Sequence, residues 1–403
     1  MVPDVFYFNP TCELAVANGS FSYMPPRLLR GFERDCSILP FVFGKSGDFV
    51  LTEEAPSKEF TIRLKDTGFE MPEFCQLQEL ISGKTETIGT ILPWGWSPAA
   101  HFYLKDLKEK CSPEFRESPV FSWKDEQKTL FERITSLDFL TLFLKQNPLD
   151  FLIGPELAGT KVTAIEEIEK LLNNQFPLVL KAPVSSSGRG IQIIRKPKLN
   201  TSNRQWISGI LNHQKYLIAE PFLDKAVDFS FQFKISNNET EYLGYSVFET
   251  NTNGQYQSTL IHPEINQTIS VEMNSKIGET ALLLKEALKN SVYAKWHRGF
   301  LGIDAMIYSE TGGLKIQPCI EINSRMNMGI LSKKIENIIH NDSSGKFELF
   351  YGSNGEFRKF VNEKEQTNSL KMKNGKLSSG FLSLVEADGN KQFGAYIEVG
   401  TAK

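Results

Sequence analysis

The sequence lacks a long apolar run and lacks a surplus of charge of either sign. No stretch of about 18 consecutive apolar residues occurs, so the sequence predicts no membrane-spanning helix. The 45 basic and 48 acidic residues leave a net charge of -3, which argues against a surface that binds nucleic acid or an anionic membrane. Small molecules are therefore the expected partners, with no nucleic acid and no membrane among them.

Cysteine is also scarce. The five cysteines are odd in number and contain no C-x-x-C pair, which argues against both a disulfide framework and a zinc site. We expect reduced thiols at Cys12, Cys36, Cys75, Cys111 and Cys319. The first ten residues have an early acid and no basic segment, so a signal peptide is not expected and the predicted location is cytoplasmic.

The motifs of common hydrolases are missing. Neither G-x-S-x-G nor H-E-x-x-H occurs, so a serine hydrolase triad and a zinc protease have no support. The five histidines are scattered without ligand spacing. Only His297 is a candidate for a functional role, because it lies just before an apolar strand-like segment; a structural role is the alternative.

The length of 403 residues and the 40% hydrophobic content predict two or three domains with substantial cores. Short apolar runs at residues 5–8, 37–43 and 87–93, separated by turn-forming and helix-compatible stretches, fit an N-terminal α/β unit. The charged residues 102–117 are interpreted as a connecting helix. Apolar residues at helical spacing then predict a helix over 128–144.

A polar loop joins two predicted strands in the middle of the chain. A helix at 164–172 precedes a strand at 177–181, and a second strand resumes at 191–194 after the loop. This order excludes a Walker-type P-loop and a Rossmann fingerprint, because both open a helix directly after their glycines. Further predicted strands cover 216–219, 229–235, 242–250 and 301–308, and a hairpin is predicted from 379–386 and 392–399.

Lys181 and the loop after it have the composition of a phosphate-binding segment. Lys181 ends an apolar strand, where its ammonium group can pair with phosphate. The loop offers backbone and hydroxyl donors with little side-chain bulk, and it consists of Ser185, Ser186, Ser187, Gly188, Arg189 and Gly190. The alternatives are a surface lysine and a polar hairpin loop without a function.

An apolar segment with a single carboxylate follows at residues 217–223. It suits a cavity edge whose backbone hydrogen-bonds an adenine, while Glu220 takes the exocyclic amine or a neighbouring lysine. Asp228 is a candidate for accepting from ribose hydroxyls. For both acids the alternative is a residue that merely ends or begins a strand.

The strongest cluster consists of Asp304, Glu321 and Asn323. Glu321 and Asn323 are two residues apart, so on a strand both point to the same face. Two carboxylates and an amide on adjacent strands form the oxygen-only site that magnesium prefers when its other ligands are phosphate and water. The alternative is the polar face of an amphipathic strand. Arg325 continues the alternation and could stabilise a transferring phosphoryl group, or pair with Glu321.

This order of residues resembles the ATP-grasp superfamily, whose members include D-alanyl-D-alanine ligase, biotin carboxylase and glutathione synthetase. The resemblance covers residues 126–340 and is most specific at Asp304 and at Glu321 to Arg325. It implies an α/β (α+β) fold with an N-terminal α/β domain (1–125) and an ATP-binding domain (126–340) of largely antiparallel sheets. The subdomains would be 126–218 and 219–340, and a β-rich extension would cover 341–403.

The resemblance also implies the cofactors, ATP and Mg²⁺, and a role for each site residue. Lys181 would contact the phosphates, and Ser185 to Gly190 would form the closing lid. Adenine would be held by Glu220 with the backbone of Pro221 and Leu223, and ribose by Asp228, where relatives often have Glu. Magnesium would be held by Asp304, Glu321 and Asn323, with Arg325 and Lys181 at the reacting centre. Arg133 is the candidate for the basic residue that many members place on the first helix of the ATP domain.

The implied reaction is activation of a carboxylate as an acyl phosphate, followed by attack of an amine to form an amide or peptide bond. The substrates would be a small carboxylate and a small amine, such as amino acids or peptides. Family members are often dimers, so a homodimer is one expected arrangement. The alternatives are phosphoryl transfer to a hydroxyl or to bicarbonate and, outside enzymes, a non-catalytic nucleotide-binding module.

Overall fold

The computed structural model describes residues 2–174, 176–184, 190–237, 239–251, 254–264 and 268–401. Its N-terminal part contains a parallel four-stranded sheet in the order β3-β2-β1-β4. The strands are β1 (Val5–Tyr7), β2 (Phe49–Leu51), β3 (Glu73–Cys75) and β4 (Ile91–Pro93). The helices are α1 (Cys12–Asn18), α2 (Arg27–Asp35), α3 (Lys58–Asp66), α4 (Leu77–Glu79), α5 (Pro98–Tyr103) and α6 (Pro113–Arg116). The predicted N-terminal α/β architecture is therefore confirmed.

The apolar run 37–43 contains a 3-10 helix, Leu39–Val42, and Pro40 within it has no N–H to donate to a sheet. One local prediction in this part is wrong. Residues 102–117 do not form one helix. They contain the end of α5, a 3-10 helix at Lys105–Lys110, and α6, which starts afresh where the Ser112 side chain accepts from the backbone N–H of Phe115.

The middle of the chain forms a small antiparallel sheet in the order β5-β8-β6-β7. Its strands are β5 (Thr160–Val162), β6 (Leu178–Lys181), β7 (Ile191–Ile194) and β8 (Leu217–Pro221). The helices of this part are α7 (Arg133–Gln146), α8 (Ile165–Asn174) and α9 (Thr201–Gln214). Strands β6 and β7 pair antiparallel, which confirms that the Ser/Gly loop joins two strands.

The largest element is a nine-stranded antiparallel sheet in the order β13-β12-β9-β10-β11-β14-β17-β16-β15. Its strands are β9 (Asp224–Ile235), β10 (Thr240–Thr250), β11 (Tyr256–Ile261), β12 (Gly299–Glu310), β13 (Gly313–Asn323), β14 (Ser343–Tyr351), β15 (Lys371–Lys373), β16 (Lys376–Ser383) and β17 (Phe393–Thr401). The remaining helices are α10 (Val271–Lys289), α11 (Val292–Trp296), α12 (Met328–Ile335) and α13 (Glu356–Thr367). The predicted C-terminal hairpin corresponds to β16 and β17.

Apolar and polar side chains alternate along β9, so one face of the sheet packs in a core and the other face lines the cavity. Phe229, Phe231 and Phe233 are fully buried in the core under α7 and α10. Ser230 and Gln232, between them, are buried on the other face, where polar side chains meet one another. Because successive side chains of a strand point to opposite faces, an apolar face and a polar face arise from one short sequence.

The nine-stranded sheet continues across residue 340, since β11 pairs with β14. One core also combines N-terminal residues such as Phe8 and Trp94 with C-terminal residues such as Phe347 and Ile397. The small sheet has a separate core of its own around Leu180 and Ile207. The boundaries at 125, 218 and 340 stay predictions, as the chain's own packing links the first and last segments.

All five cysteines are buried free thiols. Within the described ranges, no helix combines the length and the apolarity needed to cross a bilayer.

Candidate functional site

A cavity of about 820 Å³ lies between the small sheet and the nine-stranded sheet. Strands β6, β7 and β8 form one wall, and β9, β12 and β13 form the opposite wall. The cavity extends to the N-terminal part of the chain, where α1, α2 and Trp94 contribute to its lining. It therefore contacts all three sheets or the segments that follow them.

The predicted carboxylate and amide cluster comes together on β12 and β13. Asp304 lies directly opposite Glu321 in the antiparallel register, and Gly302 lies opposite Asn323. Asn323 Nδ2 donates to Asp304 Oδ2 at 3.0 Å. Ser230 lies opposite Asp304 on β9. All three predicted side chains line the cavity.

The pKa of the Asp304 carboxyl lies above its ordinary value. Burial raises its pKa to about 6, and the neighbouring Glu321 carboxylate adds to the rise. The hydrogen bond from Asn323 and the charge of Arg325 act in the opposite direction. Two carboxylates directly opposite each other on adjacent strands repel, and a cation between them would relieve that repulsion.

Lys181 faces this cluster from the small sheet. Its Nζ lies 2.5 Å from Glu220 Oε2, and the two side chains are only 6% and 18% exposed. The register explains the contact, because Lys181 and Glu220 lie on the paired strands β6 and β8. Of the two partners predicted for Glu220, the structure therefore shows the neighbouring lysine.

Arg133, at the first position of α7, connects the two walls. Its Nη1 donates to the backbone oxygen of Ala182 at 2.6 Å, and its Nη2 lies 3.1 Å from Glu321 Oε2. The Arg133 side chain is 4% exposed. The resemblance pointed to this residue as the basic group of the first helix, and the structure places it beside Lys181 and Glu321.

Arg325 lies just beyond the end of β13, so it does not continue the strand alternation as predicted. Its Nε donates to Glu13 Oε1 at 2.8 Å, and its Nη2 donates to Asn323 Oδ1 at 3.1 Å. Glu321 pairs with Arg133 instead, which corrects the predicted Arg325–Glu321 pairing. Burial acts to lower the pKa of Arg325, but the Glu13 carboxylate outweighs it and holds that pKa above the usual range.

Glu13 is the site residue that the sequence did not reveal. It lies in the first turn of α1 and is separated from Arg325 by 312 positions along the chain. An acid in the first turn of a helix is common, because it interacts favourably with the helix dipole, so nothing local distinguishes Glu13. Only the packing of α1 against the end of β13 brings the two together.

The residues predicted to hold the adenine, the ribose and the phosphates lie partly in the cavity and partly outside the described residues. Pro221, Leu223 and Gly190 line the cavity, as does Asp228. Asp228 is engaged locally, since Thr250 Oγ1 donates to its Oδ2 at 2.8 Å and Lys225 forms an ion pair with it. Ser185, Ser186, Ser187, Gly188 and Arg189 lie outside the described residues.

His297 does not line the cavity. It is buried, and its Nε2 lies 2.9 Å from the backbone oxygen of Phe300. Burial lowers the pKa of His297 to about 4. This environment fits the structural alternative, because a neutral imidazole here satisfies a backbone group of the chain itself.

The donor set fits a hard divalent cation only in part. In the portion of the chain that the structure describes, no three His, Cys, Asp or Glu side chains are arranged to hold a metal. Asp304 and Glu321 supply two carboxylates, and their mutual repulsion favours a cation. The Asn323 oxygen accepts from Arg325, so this amide would have to turn before its oxygen could join them.

The architecture matches solved structures over essentially the whole chain. Biotin carboxylase from Campylobacter jejuni, in complex with an ATP analogue, aligns with a TM-score of 0.54 at 10% identity, covering 100% of this chain and 88% of that one. N5-carboxyaminoimidazole ribonucleotide synthetase in its ADP complex aligns with a TM-score of 0.52 at 12% identity, covering 99% and 93%. The chain therefore has the ATP-grasp fold of these enzymes.

A third structure of this ATP-grasp fold is the biotin carboxylase domain dimer of 2-oxoglutarate carboxylase from Hydrogenobacter thermophilus, in complex with MgADP, ADP and bicarbonate. It aligns with a TM-score of 0.51 at 13% identity, covering 99% of this chain and 86% of that one. At these identities the likeness establishes the fold alone.

Two curated proteins are similar to this chain in sequence. The [butirosin acyl-carrier protein]–L-glutamate ligase of Niallia circulans is 27% identical over 161 residues, which is 39% of this chain and 35% of that protein. The formate-dependent phosphoribosylglycinamide formyltransferase of Prochlorococcus marinus is 22% identical over 249 residues, 59% of this chain and 63% of that protein. The chain thus matches less than two thirds of the length of either relative. No family model matches the chain.

Proposed function

We propose that this protein is an ATP- and magnesium-dependent ligase that activates a carboxylate as an acyl phosphate and joins it to an amine, releasing ADP and phosphate. One observation carries the proposal. Asp304 and Glu321 face each other on adjacent strands of a cavity whose opposite wall holds Lys181, and Arg133 links the two walls. Two facing carboxylates on one wall and a lysine on the other suit a polyphosphate that is held together with a divalent cation.

The proposed nucleotide end is the part of the cavity formed by the small sheet. Lys181 is a point charge for the phosphates and is kept in place by Glu220. Pro221 and Leu223 lie beside it with the apolar side chains of Val179 and Ile193, which suits a flat base. The relatives named above support this assignment, because ADP or an ATP analogue is named in the complexes of all three solved structures.

In the proposed reaction the substrate carboxylate oxygen attacks the γ-phosphorus in line. The bond to the β-phosphate oxygen breaks, and ADP leaves with that electron pair. The amine nitrogen then attacks the acyl carbon, phosphate leaves with the electrons of the C–O bond, and the nitrogen loses a proton to solvent. None of these steps needs a nucleophilic side chain of the protein.

The chain's own residues would contribute charge and position. Arg325, held on Glu13 and Asn323, would orient the carboxylate and stabilise the oxyanion that develops on it. Arg133 would hold the Glu321 carboxylate in position. Magnesium, held by Asp304 and Glu321 with Asn323 as a further ligand, would neutralise phosphate charge when bound.

The test is an ADP-release assay on the purified chain with a panel of carboxylates, with and without hydroxylamine. We expect ADP release that depends on magnesium and a carboxylate, together with a hydroxamate formed from the activated acid. ADP release without any hydroxamate would favour phosphoryl transfer to another acceptor. Metal-dependent ATP binding without ADP release under any condition would favour a binding module.

We also propose small-molecule substrates, a cytoplasmic location and a homodimer for the intact protein. The charge balance of -3 supports the first, and the dimer named for the Hydrogenobacter thermophilus domain supports the last. Sedimentation of the purified chain tests the dimer, since a monomer at micromolar concentration would contradict it.

A further inference from the structure

The cavity continues beyond Arg325 into a largely apolar end formed by the first and last parts of the chain. Its apolar wall consists of Leu14, Leu29, Phe32, Trp94, Met328 and Leu349. The wall is braced by aromatic contacts, because Phe32 packs on Phe8 and on Phe393 with ring centroids 5.6 and 5.3 Å apart. A rigid apolar wall favours an apolar ligand over a hydrated one.

Among the described residues that line this end, the charged ones form a single ion pair. Glu13 and Arg325 line the cavity there, and their side chains are 10% and 19% exposed. The other charged lining residues that the structure describes belong to α7, to the small sheet, to the position directly after β7, or to β9, β12 and β13. Among the lining residues that the structure describes, a phosphate group beside the apolar wall would find no cation besides Arg325, which argues against a nucleotide-like acceptor.

The ion pair is complementary to a zwitterion. It carries no net charge, and its atoms are in hydrogen-bond contact at 2.8 Å. The ammonium and carboxylate groups of an α-amino acid are separated by a single carbon, so they can face Glu13 and Arg325 without parting them. Three of the five N–H groups of Arg325 donate to Glu13, Met326 and Asn323 within the described chain, which leaves two for a carboxylate.

We propose that this end binds an apolar α-amino acid, with its ammonium group on Glu13, its carboxylate on Arg325 and its side chain against the apolar wall. The proposal rests on the proposed ligase function for its second step, in which this carboxylate is the one activated. Arg325 contacts Asn323, which in turn contacts Asp304, so the bound carboxylate lies next to the proposed phosphate site. The carboxylate oxygen forms the new P–O bond, and ADP is the leaving group.

The experiment measures amino-acid binding by titration calorimetry without nucleotide or metal, so it does not depend on catalysis. The probes are leucine, leucinamide (no carboxylate) and 4-methylpentanoate (no ammonium group), with glutamate and phosphoserine for charge selectivity. We expect leucine to bind at least about tenfold more tightly than either truncated analogue, since each analogue loses a charge-assisted hydrogen bond. Glutamate and phosphoserine should bind more weakly than leucine.

Glu13→Gln assigns the ammonium site. In this variant leucine and 4-methylpentanoate should bind with similar affinity, while leucinamide stays weak. Glu59→Gln, which removes an exposed acid from α3, is the matched control and should keep the wild-type preference. If Glu13→Gln does not fold, the wild-type analogue series still decides the question.

The proposal is overturned if wild-type protein binds leucine no better than 4-methylpentanoate, or binds glutamate or phosphoserine most tightly. Amino-acid binding without ADP release would uphold this inference and count against the ligase reaction. ADP release driven by other carboxylates, with no apolar amino acid bound, would uphold the ligase reaction and overturn this inference.

Discussion

Arg133 and Glu321 form an ion pair that joins the first turn of α7 to the end of β13, with Nη2 and Oε2 3.1 Å apart. The same guanidinium donates to the backbone of Ala182, directly after β6. One side chain thus ties the wall that carries Lys181 to the wall that carries the two facing carboxylates. Its removal would affect both stability and phosphate binding.

Arg133→Met should lower the free energy of unfolding by about 2 kcal/mol, because Glu321 then loses its cation in a partly buried site. The loss stays below that of a fully buried pair, since the Glu321 side chain is 26% exposed. Urea denaturation measures it. Arg133→Lys keeps the positive charge but loses the paired N–H donors of the guanidinium. Its free energy of unfolding should therefore lie between those of the wild type and Arg133→Met. A Met variant as stable as wild type would contradict the prediction.

Glu321→Gln should abolish ADP formation while leaving the fold intact. The amide is nearly isosteric with the carboxylate, so packing is kept, but the charge that faces Asp304 and a cation is lost. Glu310→Gln is the control, because Glu310 lies on the far end of β12 and pairs there with Lys315. Near-normal turnover in Glu321→Gln would remove the metal assignment.

Lys181 and Glu220 should prove energetically coupled. A double-mutant cycle with Lys181→Met and Glu220→Gln should give a coupling free energy of about 1 to 3 kcal/mol in urea unfolding, as expected for a buried pair in direct contact. Lys181→Met should also raise the dissociation constant for ATP at least about tenfold, since a charge-assisted contact with phosphate is lost. If the stability loss of the double variant equals the sum of the two single-variant losses, the pair does not form.

His297 should make stability depend on pH below neutrality. Its pKa is lowered from 6.5 to about 4 in the folded chain, so between these values the unfolded state binds a proton that the folded state does not. Stability is then lost as the pH falls from 6.5 to 4, by up to about 3 kcal/mol. His297→Asn should lose this part of the pH dependence, whereas His213→Gln, at an exposed position of α9, should keep it. Equal slopes in all three proteins would refute the assignment.

Gly95→Ala tests the contact between α1 and the end of β13. An added Cβ would lie 2.3 Å from Cys12 Sγ and 3.1 Å from Arg325 Cβ. The variant should therefore lose about 1 to 3 kcal/mol of stability. It should also bind any ligand of Arg325 with lower affinity. Combining it with Cys12→Ala should recover part of the loss. Gly209→Ala, where a Cβ meets nothing within 4 Å in the middle of α9, should instead stabilise the chain.

Much of the strand pattern could be predicted because burial imposes a period of two on the sequence. The predicted strands at 191–194, 229–235 and 301–308 coincide with or lie within β7, β9 and β12. The polar positions between their apolar residues then become the cavity face, as Ser230 and Asp304 show. The 19-residue helix α10 and the strands β11 and β14 were not predicted.

The ion pairs of Arg325 with Glu13 and of Arg133 with Glu321 could not be predicted from local periodicity. The spacing of Glu321, Asn323 and Arg325 suggested one continuous alternation, but β13 ends at Asn323 and Arg325 turns towards α1. A local pattern carries no information on which charge arrives from a distant segment. Glu13 and Arg133 reach their partners only after the sheets pack together.

The sequence alone determined the class of the fold and the order along the chain of the segments that carry Lys181 and Glu220. It also determined the shared face of Asp304, Glu321 and Asn323, because these features depend on local periodicity and on residue chemistry. Only the tertiary structure decided that Glu13 holds Arg325, that Arg133 holds Glu321, and that an apolar wall closes the far end of the cavity. These contacts join residues far apart in the chain, and their geometry is set by the packing of whole sheets.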